Sequence, residues 1–184
     1  MCSSLPPPSR PFTQGHLSSL CGLYALLNGV QLALWPHSLL TPAQLKKLFA
    51  RSVEHLDNER ILPAVLRAGI TENAWLRLCL VVIGQAVHLT GTRLRRRFFL
   101  QHVDQLTGGT ALADIKRELR QGHPVVVMLW GGYNHATVIV GYDRTRLILF
   151  DSAGYRWILL TSVGLHHASS TKRHQLTRNT VVAL

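Results

Sequence analysis

The spacing of apolar residues changes once along this chain, after Gly108-Gly109 and one last helical stretch, and that change limits the architectures open to it. Before it, apolar residues recur at three- and four-residue intervals, the period of a helix with a buried face. Leu20, Leu23, Ala25, Leu26, Leu27 and Val30 keep that interval in a stretch that continues towards Leu34, with Ser18 or Ser19 where a helix cap is expected. Thr41-Pro42-Ala43-Gln44 combines a capping box with proline in the first turn and opens a second helix to about Leu56. Further helices are expected at 61–68, from about residue 72, and over the basic stretch 93–106, although 78–89 (LCLVVIGQAVHL) also fits a strand. After one more helix at 110–121, four runs rich in Val, Ile and Leu follow at 124–130, 135–142, 146–151 and 155–161. The turn signals GGYN, DRT and SAG separate them, the pattern of an antiparallel meander, and 180–184 offers an edge strand. This segregation predicts an α+β fold in one domain spanning 13–184. A helical lobe, about 13–121, packs on one side of an antiparallel sheet lobe, about 122–184. Residues 1–12, MCSSLPPPSRPF, read as a flexible tail.

Composition removes several functional classes. With 47% hydrophobic and 16% charged residues in 184, the chain is too apolar to be disordered and long enough to close a core. Three cysteines (Cys2, Cys21, Cys79) without CxxC pairing argue against a disulfide framework and a zinc site. His166-His167 and His174 have no thiolate or carboxylate nearby in sequence, so no metal or other cofactor is expected. The first twelve residues lack a signal-like apolar stretch, and the run 78–87 falls short of the roughly 20 residues that span a bilayer. No membrane association and a cytoplasmic setting are the resulting expectations. The formal charge of +11 favours an anionic partner. Its densest segment, 93–99 (RLRRRFF), would place Arg93, Arg96 and Arg97 on one helix face, suited to an acidic protein surface or simply to solvent. No nucleic-acid-binding motif accompanies it.

Four residues can carry chemistry together. Cys21 falls in the first turn of a long apolar helix, where unpaired amides and the helix dipole favour an anion, and thiolate is the nucleophilic form of cysteine. A thiolate nucleophile needs a general base that later protonates the leaving group, and a third group to orient that base. His135 opens the strand run 135–142 and Asp151 closes 146–151, so a hairpin turning near residue 143 or 144 pairs 135 with about 151 or 152. Gln14 lies in the loop that leads to the helix, where its amide can donate to a developing oxyanion beside the backbone N–H of Cys21. Each alone has a plainer role: a packed cysteine, an edge histidine, a turn aspartate, a solvated glutamine. Trp130 and Trp157 are expected in the core or along a substrate groove.

Gln14 with Leu20-Cys21-Gly22-Leu23-Tyr24-Ala25-Leu26-Leu27-Asn28, then Pro124-Val125-Val126-Val127, Asn134-His135-Ala136-Thr137-Val138-Ile139-Val140-Gly141-Tyr142-Asp143 and Leu149-Phe150-Asp151-Ser152-Ala153-Gly154, resembles the papain-like cysteine peptidases. The C39-like subgroup is nearest, whose bacteriocin-processing members cut leader peptides after a double glycine. The resemblance covers roughly 13–30 and 110–155. It implies a papain-like fold with Cys21 as nucleophile, His135 as acid and base, Asp151 as orienting group and Gln14 as oxyanion donor. That family often has proline after the aspartate, where this chain has Ser152. The expected reaction is hydrolysis of a peptide or isopeptide bond through a thioester, in a Gly-Gly leader or a ubiquitin-like protein. Acyl transfer or deamidation on the same fold, and a non-catalytic basic adaptor, are the alternatives.

Overall fold

Helical spacing in the first half and strand spacing in the second both materialise, and the resulting sheet separates two apolar cores. The computed structural model of the chain describes residues 3–4, 10–14, 18–35, 37–98, 100, 107–132, 134–166 and 170–184. α1 (Cys21–Leu34) buries eleven of its fourteen residues, so it is the central element of the helical lobe. The expected serine cap is absent. Residues 18–20 form a tight 3-10 turn and Leu20 takes the N-cap position without a side-chain bond, so Cys21 is the first residue of α1. α2 (Pro42–Asn58) starts as expected, with Thr41 and Gln44 closing a reciprocal capping box. α3 (Leu62–Ala68) follows.

α4 (Glu72–Thr90) resolves the helix-or-strand ambiguity in favour of the helix. Thr71 caps it, and Trp75, Leu78, Cys79, Val82, Ile83 and Ala86 form one buried stripe at three- and four-residue steps. Its nineteen residues are long and apolar enough to cross a bilayer by length and composition. Here that stripe is turned onto the core shared with α1 and α2.

The basic helix expected at 93–106 does not form where the chain is described; residues 99 and 101–106 lie outside the described residues. Gly91, in the left-handed region at φ 68°, ends α4, and the chain then runs non-helically to Arg97. There it bridges Ala183, with N–H to O distances of 2.9 and 3.0 Å. Arg93, Arg96 and Arg97 therefore do not share a helix face. Arg97 is instead tied at 3.1 Å to Glu118, a buried carboxylate that also holds His123 at 3.0 Å.

Glu118 belongs to α5 (Gly108–Arg120), which Thr107 caps and which begins two residues before the expected start. The strands are β1 (Ser3–Ser4), β2 (Val125–Gly131), β3 (His135–Tyr142), β4 (Arg146–Phe150), β5 (Trp157–Leu159), β6 (Val163–Leu165), β7 (His174–Leu176) and β8 (Val181–Ala183). Their order across the sheet is β5-β4-β3-β2-β7-β6, with β1 on β3 and β8 on β2. The expected meander is β2 to β5. The parallel pair β6 and β7 went unread because strands of three residues, VGL and HQL, carry no period.

The helices do not all lie on one side. α1 to α4 cover the face bearing Val126, Met128, Ala136, Val138 and Val140. α5 covers the opposite face through Ala111, Ile115 and Leu119 against Val125, Val127 and Ile139. β2 is apolar at consecutive positions, which a sheet tolerates only when both faces are covered. Against β2, α1 approaches so closely that a Cβ on Gly29 would collide with the Val126 side chain. Part of the expected tail is also packed: Ser3–Ser4 pairs with Gly141 and Tyr142, and Phe12 bonds to α1. Residues 1–2 and 5–9 lie outside the described residues.

Candidate active site

The hairpin that presents the imidazole is built around Asp143, whose Oδ1 accepts the N–H groups of Thr145 and Arg146, both at 2.7 Å. Those bonds fix the 143–145 turn. The register is not the one expected from turn position alone: the turn pairs Tyr142 with Leu147, which centres the ladder beyond residue 144, and a bulge between Ile139 and Gly141 takes back one position, so that Val138 faces Phe150. Carried one step further, this register sets Asp151 opposite Thr137, two residues along from His135. Side chains two apart share a face, so ring and carboxylate still meet, diagonally. His135 Nε2 lies 2.7 Å from Asp151 Oδ2. Asp151 Oδ1 accepts the N–H groups of Ala153 at 2.9 Å and Tyr155 at 3.2 Å. The buried Thr137 hydroxyl, close to the carboxylate, favours its charged form.

Electrostatics follow from this geometry. Burial disfavours the imidazolium, but the hydrogen bonds it donates to Asp151 and Cys21, with the charges of both, outweigh it and raise His135 to about 9. Burial likewise opposes the Asp151 carboxylate, and the bond and charge of His135 hold it below its ordinary value. With Nε2 engaged by Asp151, Nδ1 is the ring nitrogen left for the sulfur. The ring is nearly enclosed, 9% exposed, and the carboxylate wholly so, which strengthens both interactions. Tyr155 closes over the imidazole edge-to-face at 5.7 Å.

Cys21 reaches the ring because α1 begins there. Gly22 permits the approach of the chain ahead of α4: a Cβ at that position would sit 3.0 Å from Ile70 Cγ2. Cys79, in contrast, is sealed in the α4 stripe, where burial pushes its thiol up and away from reactivity.

Gln14 is fastened at both ends. Its backbone N–H donates to the Ser152 carbonyl at 3.2 Å, and its side-chain Oε1 accepts from the Ser152 hydroxyl at 3.2 Å. With the oxygen so held, the amide nitrogen is the end left for other partners. Two residues earlier, Phe12 exchanges two hydrogen bonds with Asn28, a fully buried side chain on α1, at 2.7 and 3.2 Å. Phe12 also stacks on Tyr24 at 5.3 Å. Asn28 and Ser152 were not singled out for these roles from sequence. The available signals were an amide inside an otherwise apolar helix and a hydroxyl where the resembled family often has proline.

Gln14, Cys21 and His135 line one cavity of about 440 Å³, with Arg67, Gly69 and Tyr155 on its other walls. Trp130 and Trp157 do not line it. Trp130 lies 6.3 Å from the His166 ring, and Trp157 on β5 covers Arg146 at 4.7 Å. Among the described residues no group of three or more His, Cys, Asp or Glu could hold a metal ion.

In comparison with known families, residues 81–162 match the Peptidase_C39 like family. The matched span contains His135, Asp151 and Ser152, while Gln14 and Cys21 lie upstream of it. No curated protein matches the chain. The chain is thus similar to C39-like peptidases through the part of the site carried on the sheet. That supports a papain-like peptidase in general terms.

Proposed function

We propose that this chain, C39-like in its sheet lobe, is a cysteine peptidase that hydrolyses a peptide or isopeptide bond through a thioester on Cys21. One observation carries the proposal: the His135 ring is held at 2.7 Å by Asp151 and hydrogen bonds to Cys21, in the cavity that Gln14 also lines. A ring raised to about 9 is protonated at neutral pH, as an imidazolium beside a thiolate requires.

The thiolate attacks the scissile carbonyl carbon, forming the C–S bond and moving an electron pair onto oxygen. The backbone N–H of Cys21 and the Gln14 amide stabilise that oxyanion. His135 then gives its proton to the leaving nitrogen, the C–N bond breaks and the amine departs, leaving a thioester. Water enters, His135 takes one of its protons, and the hydroxide displaces sulfur to release the acid. The proton left on the ring restores the starting pair. Asp151 stays ionised and keeps the ring oriented. The resemblance brings a Gly-Gly leader or a ubiquitin-like tail as the acyl side.

The test is intact mass spectrometry after incubation with Gly-Gly peptides and a ubiquitin-like protein bearing C-terminal electrophiles. One adduct on Cys21, absent from Cys21→Ala, is expected. Adducts undiminished in that variant, or none with any probe, would overturn the proposal. With ordinary substrate and an added primary amine, hydrolysis product is expected; transfer product alone would make the enzyme an acyltransferase.

A further inference from the structure

We infer that Arg67 makes this site select substrates that present a carboxylate close to the scissile bond. The inference rests on the peptidase reading above and adds its substrate class. Arg67 stands in the last turn of α3, which brings it to the wall of the cavity lined by Gln14, Cys21 and His135. Its Nε donates to the Pro63 carbonyl at 3.2 Å, one turn back, and this pins the stem of the side chain. The two outer nitrogens then project from an exposed residue.

The charge is unbalanced where it stands. Among the described residues, Arg77, Arg97 and Arg117 each face a carboxylate, Glu59, Glu118 and Asp114 respectively. Arg67 has no such partner among them. Asp151, which does not line the cavity, is fully buried and engaged by His135, so it does not offset the guanidinium. A planar guanidinium presents paired donors that match a carboxylate, and a wall of partly enclosed protein screens that pair less than bulk water does. The net charge of +11 draws acidic peptides toward the same surface. Such a carboxylate has two sources: an Asp or Glu side chain of the substrate, or the free C terminus of a chain cut near its end.

Paired fluorogenic peptides test the inference. In one arm each position flanking the cleaved bond carries Glu or Gln and the C terminus is amidated; in the other the sequence is neutral and the C terminus free or amidated. A Glu-over-Gln preference in kcat/KM of about tenfold at one position identifies a side chain. A free-over-amidated preference of that size identifies a terminus. Arg67→Gln should collapse the preference, Arg67→Lys should retain part of it, and Arg67→Glu should invert it toward Lys. Far-ultraviolet circular dichroism controls for folding. Equal kcat/KM across both pairs, or a preference unchanged in Arg67→Gln, overturns the inference while leaving Cys21 labelling intact. Loss of Cys21 labelling by every probe is the separate failure that removes the peptidase reading.

Discussion

Replacing Asp151 with asparagine probes the pair at its support. Asparagine keeps an oxygen for the N–H groups of Ala153 and Tyr155, but removes the negative charge beside His135. Burial works against the charged ring, yet its proton is held to about 9 instead of 6.5, a gap worth about 3 kcal/mol. Asp151 supplies the larger hydrogen-bond share of that stabilisation and Cys21 the smaller. Neutralising Asp151 should therefore remove about 2 kcal/mol and move the loss of the ring proton down by about one to two pH units. The assay is the second-order rate of Cys21 alkylation by iodoacetamide, a neutral reagent, across pH 5 to 10. At pH 7 the Asp151→Asn rate should fall by about tenfold to thirtyfold, with the rise in reactivity displaced to higher pH. A profile superimposable on that of the unaltered chain would refute the reasoning, because the carboxylate would then not be what holds the ring charged.

Gln14→Ala should lower kcat by about one hundredfold or more, the usual cost of one oxyanion donor, while sparing alkylation of Cys21, which forms no oxyanion. Ser152→Ala, which frees the Gln14 amide from its 3.2 Å bond, should lower kcat by about three- to tenfold with little change in KM. Asn28→Ala leaves the N–H and carbonyl of Phe12 unpaired against α1, and urea titration should register a loss of about 1–3 kcal/mol. Stability should also depend on pH in two directions. His135, raised to about 9, contributes fully below its ordinary 6.5 and less as pH climbs through 9, whereas Asp151, lowered from 3.8, loses its contribution as pH falls through its folded value. Tm is expected to decline from pH 6.5 to 9 in the unaltered chain and to lose that decline in His135→Phe.

The elements that came through from sequence are those whose signal is local and repeated. The α1 stripe and the apolar runs of β2 and β3 each extend over seven or more residues, and the Thr41 capping box is complete within four. What did not come through depends on distant partners. The bulge between Ile139 and Gly141 shifts the register, and no turn-counting rule reveals it. Arg93 to Arg97 reads as a helix by composition, but Gly91 stops α4 and Ala183, nearly ninety residues away, captures the strand-like segment. At the site, Gln14, Cys21, His135 and Asp151 were legible by residue type and chain order. Ser152 and Asn28 were not, because a hydroxyl bonded across 138 positions and an amide bonded across 16 become meaningful only in space.

The charge state of His135 tests the account most directly, and nitrogen-15 correlation spectra of the imidazole read it without any substrate. The account predicts both ring nitrogens protonated at pH 7.5, a proton lost near pH 9, and a lower midpoint in Cys21→Ala, since the sulfur is one of the groups that hold the ring charged. A ring already neutral at pH 7.5, or one whose midpoint is the same with and without the Cys21 sulfur, would contradict it.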